Sequence, residues 1–139
     1  MMTDSAEPKC ILVVDDQESF LDLVASRLEL MDGHRLYKAA DGEAAVRLAR
    51  LQAPDLILLD WLMPGMSGLE ALKLLKEGAA TRDIPVYMLT TQNLMGNVED
   101  ALTLGAEGYI TKPIVMNKLS ARVKRIFEEL AEKEKPGDE

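Results

Sequence analysis

The chain has 139 residues, 47% of them apolar, with 24 acidic against 16 basic side chains and a formal net charge of −8. That length suits one globular domain, and an acidic chain with no basic run longer than Lys124-Arg125 argues against nucleic-acid binding by this domain alone. No apolar run approaches the roughly 18 residues of a membrane helix, and residues 1–9 lack a basic stretch followed by an apolar one, so the expectation is a cytoplasmic protein without membrane contact.

Strand-length apolar runs alternate with helix-period segments five times, the pattern of an α/β fold. The first strand is Cys10–Val14, opened by the single cysteine, whose expected role is packing. A helix over 17–31 carries Phe20, Leu23, Val24, Leu28 and Met31 on one face and stops at Gly33. A less apolar strand at 35–39 leads through Asp41 and Gly42 into a helix bearing Ala44, Ala45, Leu48 and Leu51, closed by Pro54. Residues 56–59 are an unbroken apolar run of the kind buried on both faces. After a loop over 60–66, a helix begins at the N-cap Ser67 and ends at Gly78. There follow a strand at 86–89, a helix of poor propensity at 93–104 and a short strand at 108–111. The last helix, 115–133, has an apolar stripe of Val115, Leu119, Val123, Ile126 and Leu130 that suits a coiled coil, but Pro136 and Gly137 cut it short, which favours a stand-alone protein. Polar tails at 1–8 and 133–139 flank a single domain at 9–132. Short right-handed crossovers then give a doubly wound parallel sheet with helices on both faces.

Ligands of such sheets gather at the carboxyl ends of the strands, where the strand order reverses. Those ends carry Asp15 and Asp16 on the first strand, Asp60 on the third, Thr90 on the fourth and Lys112 on the fifth. Singly, each has a bland explanation: acids at a helix N-terminus, a loop cap, a β-branched strand end, a solvated lysine. Their conjunction is more telling. Three converging carboxylates resist ionisation unless a cation sits among them. A hard divalent ion with oxygen ligands, Mg²⁺, fits that need, whereas one cysteine and the single histidine His34 disfavour zinc. A lysine and a hydroxyl beside the metal would cradle further anionic oxygens, the equipment of phosphoryl transfer.

Val13-Val14-Asp15-Asp16, the run from Leu58 through Asp60-Trp61-Leu62-Met63-Pro64-Gly65-Met66-Ser67 to Gly68, Met88-Leu89-Thr90 and Tyr109-Ile110-Thr111-Lys112-Pro113 follow one another in order and spacing. On these motifs residues 9–130 resemble the receiver domain of two-component response regulators. The resemblance implies a flavodoxin-like (βα)5 sandwich of strand order 2-1-3-4-5. It implies that Asp60 accepts a phosphoryl group from a phosphohistidine of a sensor histidine kinase or a histidine phosphotransfer protein. It further implies that Asp16, Asp60 and the Leu62 backbone carbonyl ligate Mg²⁺, with Asp15 acting mainly through water. Thr90 and Lys112 would bind phosphoryl oxygens, and Tyr109 would be the aromatic that moves as Thr90 is drawn inward. The Lys112-Pro113 bond would be cis. Contacts with an unidentified downstream protein would switch through the face of the fourth helix, fifth strand and last helix. Such a domain is a phosphoacceptor with self-phosphorylation and autodephosphorylation, not an enzyme acting on a separate substrate.

Departures from the family pattern are informative as well. Thr91 replaces a customary small residue, while Leu62 and Gln92 flank the path of attacking water, where an apolar Leu62 and an uncharged Gln92 predict a long-lived acyl phosphate. Leu21 takes a commonly polar position near the kinase-docking site and reads as an edge-of-core leucine. A haloacid-dehalogenase-like phosphatase would need an acid where Leu62 stands, and a flavodoxin would have a Ser/Thr-rich phosphate loop where Asp15 and Asp16 repel phosphate. The remaining alternatives are a receiver fragment of a longer multidomain regulator and a phosphorelay intermediate.

Overall fold

The computed structural model describes residues 8–91 and 98–134. Five strands, β1 (Cys10–Val14), β2 (Arg35–Ala39), β3 (Leu56–Asp60), β4 (Val86–Thr91) and β5 (Gly108–Lys112), form one sheet. All neighbours pair in parallel, in the order β2-β1-β3-β4-β5. The helices are α1 (Glu18–Ala25), α2 (Gly42–Gln52), α3 (Gly68–Glu77), α4 (Val98–Thr103) and α5 (Met116–Glu134).

Alternation of side chains along each strand divides the core in two. Leu12, Val14, Ile57, Leu59, Val86 and Met88 pack with α2, α3 and α4 on one face. Ile11, Val13, Leu56, Leu58, Leu89 and Ile110 pack with α1 and α5 on the other. Central β3 is buried along its whole length, as its unbroken apolar run requires. The α5 stripe is consumed here: Leu119, Val123 and Ile126 are buried against the sheet, so the coiled-coil option gives way to core packing, while Val115 lies before the helix and is exposed.

The first helix departs from its expected form. After Ala25 the chain widens into a π-helical segment, Ser26–Met31, in which the Asp32 amide donates to the Arg27 carbonyl at 3.0 Å. The wider turn rotates Met31 out of line with Leu28 and leaves it 69% exposed. The buried line is Leu21, Val24 and Leu28, so Leu21 is the core leucine and Leu23 and Met31 are not on that face. Elsewhere the ends differ by a residue or two, with β4 running on to Thr91 and β5 to Lys112. Of the weak helix, Val98–Thr103 is helical, and residues 93–97 lie outside the described residues, as do Gln92, Pro136 and Gly137.

Ser67 caps α3 through a capping box, its hydroxyl accepting from the Glu70 amide at 3.2 Å and the Glu70 carboxylate accepting from the Ser67 amide at 3.0 Å. Next to it, Gly68 lets the helix start press against the end of β3. Its amide donates to the Trp61 carbonyl at 2.9 Å, and a Cβ there would collide with the Asp60 carbonyl oxygen and stand 2.9 Å from the Trp61 Cα. At the opposite edge of the sheet, Lys76 donates to the Ile84 carbonyl at 2.8 Å and pairs with Glu107 at 3.5 Å. Glu107 in turn accepts from the Val86 amide at 2.7 Å.

Gly68→Ala is therefore expected to lose about 1–3 kcal/mol by overpacking against rigid backbone. Gly42→Ala, where the added Cβ meets the adaptable Met66 side chain, should lose less. Thermal melts of the two variants check this, and equal losses would contradict it.

Candidate functional site

Parallel register carries the ends of β1, β3, β4 and β5 to one edge. β1 and β3 are neighbours whose connections leave in opposite directions, β1 toward β2 and β3 toward β4, so Asp15 and Asp60 meet at the point of reversal. Asp15 is fully buried, and Asp60 is 7% exposed as the last residue of a buried strand. Asp16 follows on the surface. The three carboxylates each offer an oxygen within 4.8 Å of the other two.

Asp15 does two jobs. One oxygen accepts from the Gln17 amide at 2.9 Å and turns the chain into α1, whose N-cap Gln17 makes no side-chain cap of its own. The other accepts from the Lys112 ammonium at 2.6 Å. Lys112, reaching inward from the edge strand, also donates to Asp60 at 3.3 Å and lies 4.7 Å from the centre of the Phe20 ring on α1. The Lys112-Pro113 peptide bond is cis.

Burial pushes the Asp60 carboxyl up to about 6; the Lys112 ammonium opposes the rise, and the charges of Asp15 and Asp16 add to it. Burial alone would lower the Lys112 ammonium, but its hydrogen bond to Asp15 and the charges of Asp60 and Asp15 outweigh that and hold it above its ordinary value. Three carboxylates against one ammonium leave two negative charges uncompensated when all are ionised. An all-oxygen set of this charge and spacing can hold a hard divalent cation. His34 takes no part, since its Nδ1 accepts from the Lys9 amide at 3.2 Å and its ring tilts against Phe127.

Thr90 is buried at the end of β4, its hydroxyl donating to the Thr91 carbonyl at 3.3 Å. Tyr109 is half-buried beside the core of the α4 face. Leu62 is 62% exposed in the loop after Asp60, and Thr91 is exposed too. The structure thus brings Asp15, Asp16, Asp60 and Lys112 together and leaves Leu62 and Thr91 on the surface; Gln92 lies outside the described residues. Phe20 and Gly68 join the site without having been singled out for it. Gly68 had a signal in the motif, being the glycine after the Ser67 cap, whereas the spacing of Phe20 marked only an apolar helix face.

Residues 11–124 match the sequence profile of the response regulator receiver domain. The chain belongs to the response regulator receiver family. This receiver is 44% identical over 124 residues to the phosphate regulon transcriptional regulatory protein PhoB of Klebsiella pneumoniae, an alignment covering 87% of this chain and 52% of that protein. It spans about half the length of that relative. Among solved structures it resembles the CheY-like response regulator receiver domain protein from Methanospirillum hungatei, with a TM-score of 0.83 at 27% identity, covering 91% of this chain and 99% of that one. It also resembles the receiver domain of a sensor histidine kinase from Pseudomonas aeruginosa PAO1, solved with a magnesium ion coordinated in the active site cleft. There the TM-score is 0.75 at 30% identity, with 86% of this chain and 97% of that one covered. Response regulators partner with histidine kinases. No described helix of this receiver is long and apolar enough to cross a membrane.

The raised Asp60 carboxyl has a measurable consequence. The native state keeps a proton on Asp60 up to about pH 6, whereas an unfolded aspartate releases it near 3.8, so the metal-free receiver loses stability as pH rises through that window. Asp60→Asn should therefore exceed wild type in stability at pH 7 in EDTA, by at most roughly 3 kcal/mol. The gap should close toward pH 4. Denaturant titrations at several pH values test this, and a gap that is constant with pH would contradict it.

Proposed function

We propose that Asp60 is the phosphoacceptor of this receiver, taking a phosphoryl group from a phosphohistidine of a sensor histidine kinase or a histidine phosphotransfer protein. The observation that carries this reading is the Lys112 ammonium bridging buried Asp15 and Asp60, with Asp16 completing the carboxylate cluster. The bond that forms joins an Asp60 carboxylate oxygen to phosphorus, and the bond that breaks is the P–N bond of the donor, whose imidazole leaves. Lys112 then turns from Asp60 toward a phosphoryl oxygen, and the Thr90 hydroxyl exchanges the Thr91 carbonyl for another. Asp16, Asp60 and the Leu62 backbone carbonyl would hold Mg²⁺, with Asp15 acting mainly through water; the ion supplies the positive charge that the cluster lacks. The inward turn of Thr90 frees room for Tyr109, and the α4–β5–α5 face changes its contacts with a downstream protein.

The domain that carries this activity is read as residues 9–132, with α5 running on to Glu134. Coverage of only 52% of the Klebsiella relative supports a second reading, in which this receiver governs a further domain of a longer regulator. A phosphorelay intermediate would use the same site.

Incubation with radiolabelled acetyl phosphate should label wild type in Mg²⁺ and not in EDTA, and Asp60→Asn should stay unlabelled in both. Trp61, buried next to Asp60, gives a second readout through its fluorescence. Equal labelling of Asp60→Asn would overturn the assignment.

The lifetime of the acyl phosphate provides an independent test. Leu62 offers attacking water no hydrogen bond, Thr91 narrows the same rim, and Gln92 carries no charge to activate the water. The double variant Leu62→Asn with Gln92→Glu should lose labelled phosphate about ten-fold faster than wild type, a barrier change of roughly 1.4 kcal/mol. An unchanged or slower loss would show that these side chains do not gate the water.

A further inference from the structure

Phe20 stands on α1, one turn beyond the Asp15-Asp16 pair, and its half-buried ring packs on the α1–α5 side of the core. The centre of that ring lies 4.7 Å from the Lys112 ammonium, within the range of a cation–π contact. An ammonium has three protons. Here two directions are taken by Asp15 at 2.6 Å and Asp60 at 3.3 Å, and the ring faces the same nitrogen from α1.

We propose that Phe20 is a positioning residue for Lys112, holding its ammonium over Asp60 through the face of its ring; this rests on the reading of Asp60 as the phosphoacceptor. Lys112 needs such a guide because it starts from the edge strand β5 and must reach the β1–β3 junction on a stem of four rotatable carbons. Once the phosphoryl group arrives, the bond to Asp60 must be given up for one to a phosphoryl oxygen. The ring is a partner that survives that exchange, because it makes no demand on the ammonium protons aimed at the acids. It also limits the water that would compete for them. Lys112 is 20% exposed at its side chain despite lying at the rim of the sheet.

A purely structural role for Phe20 would be met by any apolar side chain of similar size, so the ring electrons must be tested apart from the volume. Acetyl phosphate with Mg²⁺ is the donor, which removes any contribution of Phe20 to docking a kinase. Phe20→Leu should slow labelling of Asp60 about five-fold, within the range expected for a partly desolvated cation–π contact. Phe20→Tyr should stay within about two-fold of wild type. Replacement of Phe20 by phenylalanines with one, two and three ring fluorines should slow labelling in steps, since each fluorine weakens the negative ring face while barely altering its size. Phe127→Leu is the control, because that ring lies beside Lys9, away from the site. In NMR spectra the ε-methylene protons of Lys112 should be shifted upfield in wild type and return to ordinary positions in Phe20→Leu.

Labelling in Phe20→Leu at the wild-type rate would overturn the proposal. So would a slow Phe20→Leu accompanied by fluorinated variants that all match wild type, which would mark the residue as packing alone. A wild type that takes no label on Asp60 would instead overturn the phosphoacceptor reading, and this proposal with it.

Discussion

A single ammonium among three carboxylates is the constraint around which the carboxyl edge of this receiver is arranged. Lys112 offsets part of the repulsion between Asp15 and Asp60 and leaves a deficit of positive charge; burial first, and the charges of Asp15 and Asp16 after it, hold the Asp60 carboxyl above its ordinary value. Well-packed apolar side chains of similar volume in place of the buried charges would remove that penalty. The arrangement keeps that deficit in an all-oxygen cluster that can hold a divalent cation.

Everything else in the fold serves to hold that convergence. Alternating strand side chains build two cores, one on each face, and leave β3 with no route to solvent except its end. Asp60 is consequently half of a strand and half of a site. Gly68 lets α3 begin directly behind it, and the capping box of Ser67 and Glu70 fixes where that beginning falls. Local propensity, packing and charge agree at each of these positions, which is how a short chain specifies one geometry.

Much of this is legible in the amino-acid sequence. The five apolar runs, the turn residues between them and the acids and lysine at their ends gave both the sheet and the membership of the carboxylate cluster, because each is written locally. The exceptions share a cause, namely dependence on three-dimensional neighbours. A widened turn moves Met31 off the buried line of the first helix, and nothing in the spacing of Leu23, Leu28 and Met31 announces it. The α5 stripe has the spacing of a coiled coil because that spacing also fits one helix against a sheet. Phe20 reads as one more apolar residue until Lys112, ninety-two positions later in the chain, is placed against its ring. Asp15 serves two partners at once, since one carboxylate caps the turn into α1 and binds the lysine.

The Lys76–Glu107 clamp gives the sheet a tethered side. It ties the end of α3, the entry to β4 and the entry to β5 together at the edge remote from Asp60. The chain leaving α4 enters this knot almost at once, the Ala106 amide donating to the Ala101 carbonyl and the Glu107 amide to the Val86 carbonyl. The C-terminal end of α4 is therefore held to the same edge of the sheet as the end of α3 and the entries to β4 and β5.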